Sequence, residues 1–182
     1  MSRAHLVAVP EAPAPDDKDW TWAIDRPCPD CCFDPATVDR HDIARLTLAY
    51  ADAINVGVDH PGATQRPAPR VWSPAEYACH VRDVCMLFEQ RLDLMLDEDD
   101  PRFDNWDQDA AALERRYWEV TPAAAADGLD AAAESIAARW AQVRDDQWQR
   151  PGRRSNGSVF TVETFGRYFL HDLAHHAWDV RG

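Results

Sequence analysis

The chain of 182 residues predicts an all-α fold, a four-helix bundle with one short extra helix in its crossover. Apolar residues recur at three- and four-residue steps in four long stretches. The helix-start signals Ser73-Pro74-Ala75-Glu76 and Thr121-Pro122 open two of them, and no hairpin signal or internal repeat stands out.

Taken in order, residues 1 to about 19 hold Pro10, Pro13 and Pro15 among Ala and Asp, with too little apolar surface to fold alone. A loose tail is expected there, within a largely irregular N-terminal extension of residues 1–36 ahead of a helical domain over 37–182. Ile43, Leu46, Ala49/Tyr50 and Ala53/Ile54 predict a first helix over 37–58, broken by His60-Pro61-Gly62. The capping box at Ser73 predicts a second helix to about Leu96, ahead of the acidic run Asp97–Pro101. A shorter helix is expected from Asn105 to about Trp118. Another follows Thr121-Pro122 to about Asp145, through Leu129, Ile136 and Trp140. Residues 151–158 read as a loop, after which Thr161 caps a last helix reaching Val180.

One domain is the default at this length. A net charge of −13 argues against nucleic acid, whose recognition needs clustered Lys and Arg, and favours a small-molecule partner. No segment reaches the roughly 20 apolar residues that span a bilayer, so no membrane partner is expected. The odd count of five cysteines fits a reducing compartment, and the expected location is the cytoplasm.

The chemistry concentrates in the last helix, at His171-Asp172-Leu173-Ala174-His175-His176. Residues four apart lie about 40° apart around a helix, so two of these side chains can aim at one ion. Val162, Phe165, Phe169, Leu173 and Val180 mark the apolar stripe. His176 falls near its centre, Asp172 about 50° away, and His171 and His175 on its flank. On the second helix, His80 borders the inward stripe of Tyr77, Val81, Val84 and Phe88. His80, Asp172 and His176 are therefore the candidate metal ligands. Such a set suits Zn²⁺, with Ni²⁺, Fe²⁺ or Mn²⁺ as alternatives, and leaves coordination positions open, as catalytic sites do. Asp179, three residues after His176, is placed to orient a ligand. His171 and His175 stand as an alternative register.

Other signals are local. Cys28-Pro29-Asp30-Cys31-Cys32 reads as half a zinc site, a redox pair or reduced loop cysteines. No second Cys-x-x-Cys follows, and His41 is the histidine weighed as its partner. Cys79 adjoins His80 in sequence but lies about 100° away around the helix, a poor fourth ligand. Arg153 and Arg154 could hold a carboxylate, and Asn105-Trp106-Asp107-Gln108-Asp109 could line a site mouth.

At His80 and at Asp172-Leu173-Ala174-His175-His176-Ala177-Trp178-Asp179-Val180 the chain resembles the DinB/YfiT-like superfamily, which includes mycothiol-dependent maleylpyruvate isomerase N-terminal domains and bacillithiol or mycothiol S-transferases. The resemblance runs from about Asp39 to Val180. It implies a four-helix bundle with a divalent metal near one end, Asp172, His176 and Asp179 matching the spacing of the family's last helix. Asp172 stands where the family usually has Glu or His. The resemblance also implies a low-molecular-weight thiol, mycothiol or a similar one, as co-substrate. The implied function is a metal-dependent enzyme activating that thiol for S-transfer to, or thiol-assisted isomerisation of, a small electrophile. The alternative is a non-catalytic metal- or ligand-binding bundle, or a homodimerising partner.

Overall fold

The computed structural model describes residues 9–14 and 18–181. Four long helices, α1 (Ile43–Val58), α2 (Pro74–Asp97), α4 (Pro122–Trp140) and α5 (Val162–Asp179), form the bundle, with the short α3 (Gln108–Glu114) in the crossover. Both α4 and α5 pack against α1 and α2. Their apolar stripes meet in a core where Phe88 stacks on Phe165 at 4.6 Å and Trp140 on Trp148 at 6.1 Å. At Gly166, a Cβ would lie 2.5 Å from Ile43 Cδ1, so glycine is what lets α5 approach α1.

The α2 start carries its predicted capping box. Ser73 Oγ accepts from the Glu76 N–H, and Glu76 Oε2 accepts from the Ser73 N–H at 2.9 Å. Arg66 donates through Nε to Glu76 at 2.8 Å, which pairs a carboxylate that would otherwise be buried alone. One turn beyond His80, buried Asp83 accepts from Arg115 at 2.6 Å and from the Tyr117 hydroxyl at 2.5 Å. Those bonds tie the crossover to the helix that carries His80.

Three boundaries differ from expectation. The Asp39 side chain caps His41 N–H and holds Arg40–Asp42 in a 3-10 turn, so regular helix starts at Ile43 and not at residue 37. Arg116, at φ 51°, ends α3 early and leads into a 3-10 turn over Tyr117–Glu119. α4 stops at Trp140, although Val143 and Trp148 continue the buried pattern through the turns that follow.

The predicted loop over 151–158 is instead part of a small sheet. β2 (Pro151–Arg154) pairs antiparallel with β3 (Val159–Thr161) and parallel with β1 (Arg102–Phe103). Arg154 O accepts from the Gly157 N–H at 2.9 Å and Gly157 sits at φ 97°. This is a three-residue hairpin loop, and Gly157 supplies the positive φ that its last position requires.

Of the expected loose tail, residues 1–8 and 15–17 lie outside the described residues. Residues 9–14 run along the 66–70 segment, where Arg66 Nη1 donates to Glu11 O at 2.5 Å. From Trp20 the chain makes two 3-10 turns, Trp20–Ile24 and Pro35–Thr37, and the first packs on α5. No helix among the described residues is long and apolar enough to cross a membrane.

Candidate metal centre

One donor atom each from His80, Asp172 and His176 lies within 4.8 Å of the others, so α2 and the last two turns of α5 bring together the three residues singled out in the sequence. His80 is only 1% exposed, with Trp106 stacked on it at 5.6 Å and Trp72 tilted against it at 4.9 Å. Its ring meets that of His176 edge-on at 4.7 Å. His176 Nε2 lies 3.1 Å from Asp172 Oδ1, while its Nδ1 lies 2.9 Å from Asp179 Oδ2. Asp179 thereby fixes the ring so that Nε2 faces the cluster, as carboxylates behind metal-bound histidines do.

The donors fit a cation. His80 Nδ1 and Asp172 Oδ1 are buried without a hydrogen-bond partner, and His176 Nε2, though close to Asp172, is not aligned to bond it. An orphaned buried polar atom costs about 1–3 kcal/mol, which an ion between the donors would relieve. Ligands about 2.1 Å from one ion stand about 3.0–3.4 Å apart in octahedral or tetrahedral geometry, and the 3.1 Å contact falls in that range.

The electrostatics favour positive charge here. Burial opposes a charge on His176, but the carboxylates of Asp172 and Asp179 beside it outweigh that and raise the pKa to about 9. Burial, followed by the nearby His176, pushes His80 down to about 3. Burial alone would raise Asp172, yet His176 and the other histidines hold it below its ordinary value. A proton on His176 marks the place a metal cation can take.

His171 and His175 line the same cavity but group with a different set of donors. Their donors lie within 4.8 Å of one another and of Cys28 and Cys31, so they are not a second register for the same ion. His41, the partner weighed for the cysteines, is instead exposed, 3.7 Å from Asp145 and edge-on to Trp148 at 6.0 Å. The capped 3-10 turn ahead of α1 directs it there. Cys32 is exposed, and Cys79 belongs to neither cluster.

Asp172 and His176 open onto a cavity of about 550 Å³. Asn105, Trp106, Asp107, Gln108 and Asp109 all line it, as their position before the crossover helix suggested. Arg154 lines it too, with Nη1 3.4 Å from the Tyr168 hydroxyl, but Arg153 turns away to pair with Asp100 at 2.8 Å. The lining also includes Arg91 and Tyr168, which no motif marks. Arg91 follows His80 by eleven residues, which returns to within about 20° on a helix, and Tyr168 precedes Asp172 by four. A cation in an inward stripe was a usable signal. Arg91 is buried, donates to Asp104 O at 2.5 Å, and is lowered to about 10 by burial and then by neighbouring Arg154. Neither arginine makes an ion pair among the described residues.

Two histidines and a carboxylate converging beside an open cavity in a helical bundle form a group that could hold a metal ion. The chain belongs to the DinB superfamily, whose family model matches residues 16–180. Among solved structures it is similar to YfiT from Bacillus subtilis, described as a probable metal-dependent hydrolase with an unusual four-helix bundle topology. The TM-score is 0.67 at 18% identity, covering 78% of this chain and 82% of that one. That likeness establishes the shared fold. No curated protein matches the chain.

Proposed function

We propose that the protein is a metal-dependent enzyme that activates a low-molecular-weight thiol for transfer to, or isomerisation of, a small electrophile. One observation carries this reading: three metal-ligating groups converge, two of them with an orphaned buried donor atom, and Asp172 and His176 among them border a cavity that no Ser, Thr or Cys lines among the described residues. With no hydroxyl or thiol of Ser, Thr or Cys in that lining, an external thiol is the economical nucleophile. A divalent ion held by His80, Asp172 and His176 would supply Lewis acidity, stabilising a thiolate over a thiol at neutral pH.

The protein's own groups do the rest. Asp179 holds the His176 ring with Nδ1 occupied and Nε2 free for the ion. Arg91 and Arg154 offer guanidinium groups to a carboxylate on the thiol or on its partner. Trp106 and Phe88 keep water from part of the cavity wall. The thiolate sulfur forms a bond to the electrophilic carbon, and the electron pair leaves with the departing group. Where the carbon belongs to a conjugated C=C, the pair moves instead to the adjacent carbonyl. Rotation about the new single bond and expulsion of the thiolate then gives the other geometric isomer.

A second reading shares the ion but takes water as the nucleophile, supported by the description of YfiT as a probable hydrolase. A screen of the metal-loaded protein separates them. Acceleration of thiol conjugation or thiol-dependent isomerisation, lost in Asp172→Ala, supports the first. Turnover of esters or amides without added thiol supports the second. Metal uptake with neither activity leaves a non-catalytic binding bundle and overturns both.

A further inference from the structure

The cluster left over from the proposed reaction is the more complete of the two. Cys28 and His171 are 2% and 3% exposed, and with Cys31 and His175 they place four donor atoms within 4.8 Å of one another. Two thiols come from a Cys-x-x-Cys turn and two imidazoles from positions four apart on α5. That is the ligand set and spacing of a structural zinc site.

The turn is shaped for the role. Pro29 restricts the backbone after the first cysteine, and Cys32, at φ 60°, turns the chain sharply after the second. Cys28 O accepts from the Cys32 N–H at 3.0 Å, and the Cys28 N–H donates to Phe33 O at 2.8 Å, closing the loop on itself. Cys28 Sγ lies 3.7 Å from His175 Nδ1. Sulfur at 2.3 Å and nitrogen at about 2.05 Å from a tetrahedral zinc stand about 3.6 Å apart.

The imidazoles point the same way. His171 Nε2 is buried and has no hydrogen-bond partner. Trp20 lies 5.5 Å from the His171 ring and 4.9 Å from that of His175, and Trp22 and Phe33 lie 6.0 and 5.7 Å from His171. Those rings cover one side of the imidazole pair, and four protein ligands would complete a tetrahedral sphere. Two thiolates also balance the charge of one divalent ion.

We propose that Cys28, Cys31, His171 and His175 form a second, structural zinc site that fastens the N-terminal segment to α5. The pairs His171/His175 and Asp172/His176 are offset by one residue, so one helix carries a closed site on one face and an open site on the next. The closed site anchors the segment whose Lys18 and Trp20 form one wall of the cavity.

The test is metal content and cobalt spectroscopy on the full chain, kept reduced. The wild type should bind two ions per chain and, loaded with Co²⁺, show a sulfur-to-cobalt charge-transfer band and intense tetrahedral visible bands. Cys28→Ser/Cys31→Ser should bind one ion and lose the sulfur band. His80→Ala/His176→Ala should also bind one ion but keep it, so the two sites fail separately. Should the serine variant not fold, alkylation of the wild type decides. Zinc should protect Cys28 and Cys31 at least tenfold relative to chelator-treated protein, while exposed Cys32 reacts equally in both. A wild type without a sulfur–cobalt band, equal alkylation with and without zinc, or a Cys28–Cys31 disulfide that accounts for both thiols in freshly purified protein would overturn the site.

Discussion

His175 and His176, neighbours in the chain, serve different clusters: His175 Nδ1 lies 3.7 Å from Cys28 Sγ, whereas His176 Nε2 lies 3.1 Å from Asp172 Oδ1. Their rings are 6.3 Å apart and nearly perpendicular, at 84°. A helix turns about 100° per residue, and that rotation separates the two faces. One consequence is that each cluster can be emptied without touching the ligands of the other.

His176→Ala should abolish metal uptake at the His80/Asp172 cluster and leave a cooperatively folded helical protein. The bundle core of Phe88, Phe165, Phe169 and Trp140 does not depend on that ion. Losing a ligand present at a hundred times its dissociation constant removes about 2.7 kcal/mol of linkage, so a melting temperature lower by a few degrees is expected. Collapse of the far-ultraviolet helical signal would contradict this.

Asp179→Asn should weaken metal binding at the same cluster about 10- to 100-fold, because the carboxylate accepts from His176 Nδ1 and strengthens the opposite nitrogen as a ligand. Competition against a chelating dye reads the change directly. An unchanged affinity would make Asp179 merely a residue near the helix end.

Much of this was legible from periodicity. The stripe through Phe165, Phe169 and Leu173 sets the inward direction of α5, and that direction puts Asp172 and His176 beside His80. The cysteine partners were not legible, because no local pattern tells that a loop near residue 30 folds onto the flank of a helix beginning at Val162. His171 and His175 lay on that flank in the sequence, and only the packing of Trp20 and Trp22 there shows what covers it. The sheet leaves no trace in the periodicity because its strands have two to four residues, too few for an alternation to register.

With both clusters emptied, stability should peak near pH 6.5. Burial lowers His80 to about 3 and His171 to about 4, so below pH 6.5 the unfolded chain binds protons that the folded one refuses. Stability is then lost as pH falls, by on the order of 1–3 kcal/mol per unit for two such groups. His176 acts oppositely: raised to about 9, it stabilises the fold below pH 6.5, and this contribution fades as pH rises through 9. Urea midpoints of metal-free protein at pH 5, 6.5 and 9 check both limbs. A midpoint at pH 5 equal to that at 6.5 would contradict buried, neutral His80 and His171.

Arg154→Ala should raise KM for an anionic thiol or electrophile about tenfold and change kcat little, because the guanidinium lines the cavity beside Tyr168 and belongs to neither set of metal-ligating groups. Arg154→Lys should restore little, since an ammonium cannot reproduce a bidentate grip. A parallel measurement locates the thiol. In the Cys28→Ser/Cys31→Ser background no protein sulfur remains among either set of ligands, so the cobalt-loaded open site should show a sulfur–cobalt band only when a thiol is added. The thiol concentration giving half of that band should rise with the Arg154→Ala change if the thiol carries the carboxylate, and stay fixed if the electrophile does. No band with any of several cellular thiols at concentrations well above millimolar would remove the thiol from the open site and leave water as the nucleophile to test.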